Sequence, residues 1–237
     1  MVYNRRMRKR YFFLVSLILA IGAVFISCTD FFSNSWAPWA ARDPDKLVPT
    51  VTAGNVKELV EMAENNPDLS LAVLKKIRDA AKKARGVDKQ KLRESAMEAA
   101  ANAAGLGPAI LGAADKLISI DSDEEARDLI LDALDSMKNL TAATDLLEST
   151  LPKPGDPDFD DFVNAADPND LAMAAALLIA GEAKKKSDPG EYINDFNSSG
   201  SLTDQEKLAI ALAEAALNHQ GELSGPLKDV LDGLNLL

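Results

Sequence analysis

Between Ala40 and Asp158 the chain contains no Phe, Tyr or Trp, and that gap limits the kind of core it can build. The apolar positions there are Ala, Leu, Ile, Val and Met. Small alanine faces let helices approach closely but bury little area each, so many helices must share the load. The apolar residues recur at helical spacing, as Val56, Leu59, Val60 and Ala63, then as Leu71, Leu74, Ile77 and Ala81. The second run is expected to close at Gly86, and Lys89 to Ala104 forms another segment stopped by Gly105. Gly107-Pro108 opens the next, with Pro at a tolerated early position. Ser122 with Glu125 and Thr203 with Glu206 have capping-box spacing, and Asp167 precedes Pro168 before the run Leu171 to Lys186. No alternating segment long enough for a strand is present. The pattern predicts an all-α fold, an Ala-rich antiparallel helical array.

Aromatic residues return as Phe159, Phe162, Tyr192 and Phe196, a set expected to cluster where the second half of the chain packs. Leu151-Pro-Lys-Pro-Gly-Asp-Pro157 is the clearest irregular break, since three prolines in so short a stretch forbid a helix. Gly190-Glu-Tyr192 resembles a fragment of the tetratricopeptide repeat, but Asp195 stands where Ala is expected and no second copy is in register. A degenerate helical-repeat array of that solenoid type is one architecture, and an irregular bundle is the other. The expected organisation is a signal segment at 1–27, a tether at 28–49, a helical region at 50–151, a Pro/Asp-rich linker or loop at 152–166, and a second helical region at 167–237.

The N-terminus carries an address. Arg5, Arg6, Arg8, Lys9 and Arg10 precede an uncharged run from Tyr11 to Ser27, 17 residues long. That is short for an uncleaved span, which needs ~20 apolar residues. It also lacks the A-x-A site of an ordinary secretory signal. The run closes on Phe25-Ile26-Ser27-Cys28, which resembles the lipobox of bacterial lipoproteins, in a looser form similar to that of spirochaete lipoproteins. The resemblance implies cleavage between Ser27 and Cys28 and lipid attachment at Cys28, the only cysteine of the chain. It places the protein in a bacterial cell envelope, anchored to a membrane outside the cytoplasm. In the tether, Phe31, Phe32, Trp36 and Trp39 either lie at headgroup level or pack on the folded body.

Charge narrows the partners. The chain carries −11; cleavage before Cys28 removes five of its 26 basic residues and none of its 37 acidic ones, leaving −16. Nucleic acid is an unsuitable partner for so acidic a protein. The charge is unevenly placed. Nine basic residues crowd positions 75–93, with Lys75, Arg78, Lys82 and Arg85 on one helical face, whereas residues 121–170 hold 3 basic and 15 acidic residues. The basic stripe either meets an acidic partner or anionic headgroups, or is an ordinary solvated helix face.

Candidate chemistry is sparse. Asp156, Asp158 and Asp160 fall at alternate positions of an EF-hand-like loop, but Asp161 occupies the place of the turning Gly and Asp167 that of the bidentate Glu. They are weak metal candidates, and solvated loop acids or helix caps explain them better. His219 is the only histidine, near a helix end, and the single Cys is assigned to lipid, so no nucleophile–base pair can be composed. The reading is of a non-enzyme without cofactor; a carboxylate-based hydrolase is the residual alternative. The outline resembles helical-repeat lipoproteins that act as accessory components of envelope complexes and transporters. It implies a protein- or peptide-interaction module held at the membrane, with an uptake lipoprotein binding a small ligand near Phe159, Phe162, Tyr192 and Phe196 as the other reading.

Overall fold

The computed structural model describes residues 43–109, 123–194 and 201–219. Residues 1–46 and 47–237 form two compact units. Ser27, Cys28, the tether aromatics, Ser122 of the Ser122–Glu125 pair and Phe196 lie outside the described residues. Among the described residues all regular structure is helical. The helices are α1 (Pro44–Leu47), α2 (Val56–Ala63), α3 (Pro67–Ala81), α4 (Gly86–Ala104), α5 (Asp123–Ser136), α6 (Leu140–Glu148), α7 (Phe159–Ala165), α8 (Pro168–Lys185), α9 (Pro189–Asn194) and α10 (Asp204–Asn218).

Local signals in the sequence account for most helix ends. Asn66 caps α3 by accepting from Leu69 N at 3.1 Å, with Pro67 at the first turn, where its missing N–H costs nothing. Asp167 caps α8 through Asn169 N at 2.8 Å, ahead of Pro168. Thr203 and Glu206 form the capping box of α10. Gly105 ends α4 in the left-handed region (φ 71°), where glycine has no Cβ to clash.

Two boundaries differ from the sequence reading. α3 does not run to Gly86. It ends at Ala81, because Lys83 N and Ala84 N both turn back to Ala80 O at 3.0 Å and close the last turn. Arg85 is then extended (φ −139°, ψ 157°), and Gly86 (φ 54°) begins α4 instead of ending α3. The second difference is α7, which lies within the stretch expected to be linker. Phe159, Phe162 and Val163 share one face of it at i, i+3 and i+4, and all three are buried. The Pro-rich run 151–157 itself is not helical, as expected.

Two helical pairs dominate the packing of residues 47–237. α3 pairs with α4, and α8 pairs with α10. The second pair is antiparallel. Gln205 at the start of α10 donates to Leu178 O at 2.8 Å, while His219 beyond its end lies 2.8 Å from Val163 O, just before α8 begins. α6 touches α3, α4 and α8, and α4 also touches α8, so the two pairs join across the Pro-rich loop. The core is as small-sided as the sequence requires. Ala96, Ala100, Ala103 and Ala104 of α4, Ala172, Ala174 and Ala175 of α8, and Ala209, Ala213 and Ala216 of α10 are buried, filled in by Leu74, Ile77, Leu92, Met97, Leu147 and Leu177. Gly181 sets the closest approach, between α8 and α6. A Cβ there would lie 2.5–2.8 Å from three side-chain atoms of Thr144, itself fully buried. No helix of the described residues is long and apolar enough to cross a membrane.

Candidate interaction surfaces and polar clusters

The nine basic residues of 75–93 have different fates. Lys76 Nζ donates to Val48 O, which fastens the incoming chain to α3 beside the buried Val48 and Val51. Arg78 forms a double contact with the neighbouring Asp79, at 2.8 and 3.0 Å. Lys89 and Arg93 both reach Asp158 Oδ2, at 3.0 and 2.6 Å. Lys75 is half-buried on α3. That leaves Lys82, Lys83, Arg85 and Lys91 exposed, without an ion-pair partner among the described residues.

The stripe of four predicted on one helical face is broken at its last member. Lys82, the C-cap of α3, keeps helical dihedrals and bonds back to Arg78 O, so it continues the face of Lys75 and Arg78, whereas Arg85 is the extended N-cap of α4 and leaves it. The structure instead brings Lys82, Lys83 and Arg85 into the short α3–α4 connection. Val87, 71% exposed in the first turn of α4, is two residues beyond Arg85 and is the most exposed large apolar side chain among the described residues.

Two of the three acidic loop candidates are already engaged. Asp158 neutralises two cations: the hydrogen bond from Lys89 and, against some burial, that from Arg93 hold its carboxyl below the usual range. Asp156 Oδ2 accepts from Lys153 N at 2.8 Å, closing the turn after Pro152. Asp160 is exposed in the first turn of α7. Among the described residues no group of His, Cys, Asp and Glu side chains is arranged to hold a metal ion.

The aromatic residues do not gather in one place. Phe162 is fully buried, and Gln90 Nε2 of α4 donates to its carbonyl at 3.2 Å. Phe159 and Val163 line an open cleft of ≈ 320 Å³ with Ala211, Ala215, Glu214 and His219 of the α10 end. Tyr192 is at the other end of α10, where its hydroxyl donates to Glu206 at 2.7 Å. Nine residues of helix between Glu206 and Ala215 put the two groups roughly 13 Å apart along the axis. Phe159 and Phe162 thus stay together on α7, toward the C-terminal end of α10, while Tyr192 stands apart from them at its N-terminal end.

Two polar clusters were not foreseen from the sequence. At the C-terminal end of α8, Lys185 Nζ contacts Asp145 at 3.0 Å, Glu182 at 2.9 Å and Gln205 at 3.0 Å. Lys186 lies 3.8 Å from Glu206 and 4.9 Å above the Tyr192 ring, and Lys184 pairs with Asp135. Burial opposes ionisation of Glu206, yet hydrogen bonds from Thr203 and Tyr192 outweigh it and lower its pKa; burial, then the Glu206 bond, raises that of Tyr192. The one hint in the sequence is Glu182, an acid inside the apolar run of α8. The second cluster joins α4 to α8. Burial, then Asp167, Glu98 and Glu94, pushes Asp170 up to about 6, while burial and Glu61 raise Glu98.

No known protein family matches the chain, and no curated protein or solved structure is significantly similar to it.

Proposed function

We propose that the protein is a bacterial envelope lipoprotein whose acidic helical body serves as a protein- or peptide-interaction module, an accessory component of an envelope complex or transporter. The observation that carries this reading is the N-terminal sequence: five basic residues, an uncharged run of 17, and Phe25-Ile26-Ser27-Cys28. The body contributes supporting features. It is an array of alanine-rich helices, a form that presents long exposed faces rather than a deep cavity. Its charge is uneven along the chain, with basic residues crowding 75–93 and acidic ones 121–170, an arrangement suited to selecting partners by charge. A small-ligand reading draws on the α7–α10 cleft, where Asp160, Glu214, Asn164 and Asn218 surround Phe159 and Ala215; it loses the convergence with Tyr192 that first suggested it.

The test is processing. Cys28→Ala should leave the precursor uncleaved and unlabelled by palmitate analogues in a host with a lipoprotein pathway. Mature, lipid-labelled protein from that variant would refute the anchor. Co-purification from native membranes with the acylated chain, and not with Cys28→Ala, would then name the partner.

A further inference from the structure

We infer that the α3–α4 connection is a membrane-docking tip: Lys82, Lys83 and Arg85 engage anionic lipid headgroups while Val87 enters the interface. The inference rests on the lipid-anchor reading and deepens it by giving the body an orientation at the bilayer.

Three observations converge. The first is a local inversion of sign. On a chain of net charge −11, the three cations sit together, exposed, and have no ion-pair partner among the described residues, although most other basic residues of the segment are engaged. The acids nearest in sequence do not cancel them: Asp79 is held by Arg78, and Asp88 is a single exposed carboxylate in the first turn of α4. The second is Val87, 71% exposed beside the cations. Cations flanking an apolar tip match the headgroup–acyl boundary, where charge meets phosphate and the side chain leaves water. The third is where the anchored chain arrives. Val48 and Val51 are buried, and Lys76 of α3 holds Val48 O. Lys76 precedes Lys83 by seven residues, about 10 Å along a helix. Twenty residues from Cys28 to Val48 span at most ~70 Å, so the anchor and the tip can reach one bilayer together. An otherwise acidic body is repelled by anionic lipid, and among the described residues this connection is where exposed, unpaired cations gather.

The experiment uses the acylated full chain carrying Val87→Cys labelled with bimane, in vesicles of phosphatidylcholine with and without phosphatidylglycerol, some lipids brominated. Labelling stoichiometry separates the two readings. One reactive thiol per chain means Cys28 is acylated, and two thiols without fatty acid would refute the anchor and the docking with it. With one thiol, the bimane should be blue-shifted and quenched on phosphatidylglycerol vesicles and hardly affected on phosphatidylcholine. Each cation removed should lower the docked-to-undocked ratio about five-fold, and Lys82→Glu, Lys83→Glu and Arg85→Glu together should lower it more than ~100-fold. The effect should fade as salt rises from ~0.01 M to ~0.15 M. An unchanged melting temperature confirms that the triple variant folds. Equal quenching on both lipids, or in the parent and the triple variant, would overturn the inference. So would vesicles showing no response while an acidic envelope protein is retained by the parent and lost by the variant, which would make the tip a protein-binding surface.

Discussion

Two helix ends in this molecule are rich in lysine, and they behave in opposite ways. Lys82 and Lys83 close α3, whereas Lys184, Lys185 and Lys186 close α8. The α8 set is fully engaged, by Asp135, by Asp145 with Glu182 and Gln205, and by Glu206. The α3 pair has no such partner among the described residues. Both runs suit the negative end of a helix dipole, so the local sequence does not distinguish them. The difference lies in the neighbours. α8 ends where α6 and the start of α10 bring carboxylates, while the end of α3 is exposed and meets none among the described residues. A lysine run thus becomes structural or available according to what packs beside it.

The largest expected effect breaks the seam that makes the α8 end crowded. Gly181→Leu must displace Thr144, whose side-chain atoms would lie 2.5–2.8 Å from the first added carbon. Overpacking of this kind costs about 3 kcal/mol or more, read as a lower midpoint in urea. A variant as stable as the parent would mean that α6 and α8 are not in close contact. Next comes Lys185→Met, which keeps the aliphatic stem and removes the charge. It leaves Glu182, 8% exposed, without its cation. A buried group deprived of its partner costs about 1–3 kcal/mol, and the partial exposure of Lys185 favours ~2 kcal/mol. Lys185→Met together with Glu182→Leu should recover most of the loss; no recovery would show that the lysine acts mainly through Asp145 or Gln205.

A smaller, pH-dependent effect lies at the α4–α8 junction that joins the two pairs. Asp170 titrates near 6 in the folded chain, against 3.8 for the ordinary carboxyl. The folded state therefore holds this proton more tightly than the unfolded one. The favourable contribution is complete below pH ~4 and disappears as pH rises through about 6. Because the group is half-exposed, screening reduces the change to about 1 kcal/mol. Asp170→Asn should flatten the stability profile between those limits and leave the variant the more stable of the two at neutral pH. A profile of unchanged slope would place the titration elsewhere.

Much of the fold is legible in the sequence because its signals are local. Asn66, Asp167 and the Thr203–Glu206 box each mark a helix start within four residues, and Gly105 marks an end. Gly86 misleads because glycine permits a positive φ on either side of a connection; hydrogen bonds to Ala80 O, not composition, decide that α3 stops first. α7 is hidden by the prolines before it, although Phe159, Phe162 and Val163 carry the helical spacing. The sites are less legible, since their partners are remote in sequence. Asp158 meets Lys89 and Arg93 over more than sixty residues, and Lys185 meets Asp145 over forty. Spacing predicts which residues share a face, but which face receives an opposite charge depends on packing.

The smallest expected effect is the sharpest test of the comparison. If Lys82 and Lys83 have no partner but the end of α3, replacing both by Gln removes only their interaction with its carbonyls. Such terms amount to about 0.3–1 kcal/mol at low ionic strength and are screened by salt. Both side chains are exposed at the final turn, so the loss should be ~0.5 kcal/mol at ~0.01 M salt and vanish near ~1 M, where the Debye length is about 3 Å. Lys185→Met should behave differently, because a pair with a buried carboxylate is poorly screened and most of its ~2 kcal/mol should survive high salt. Thermal or urea unfolding at the two salt concentrations distinguishes them. A salt-resistant loss above ~1 kcal/mol in the Gln variant would mean that the α3 end is also held by an acid, and the contrast between the two lysine runs would fall.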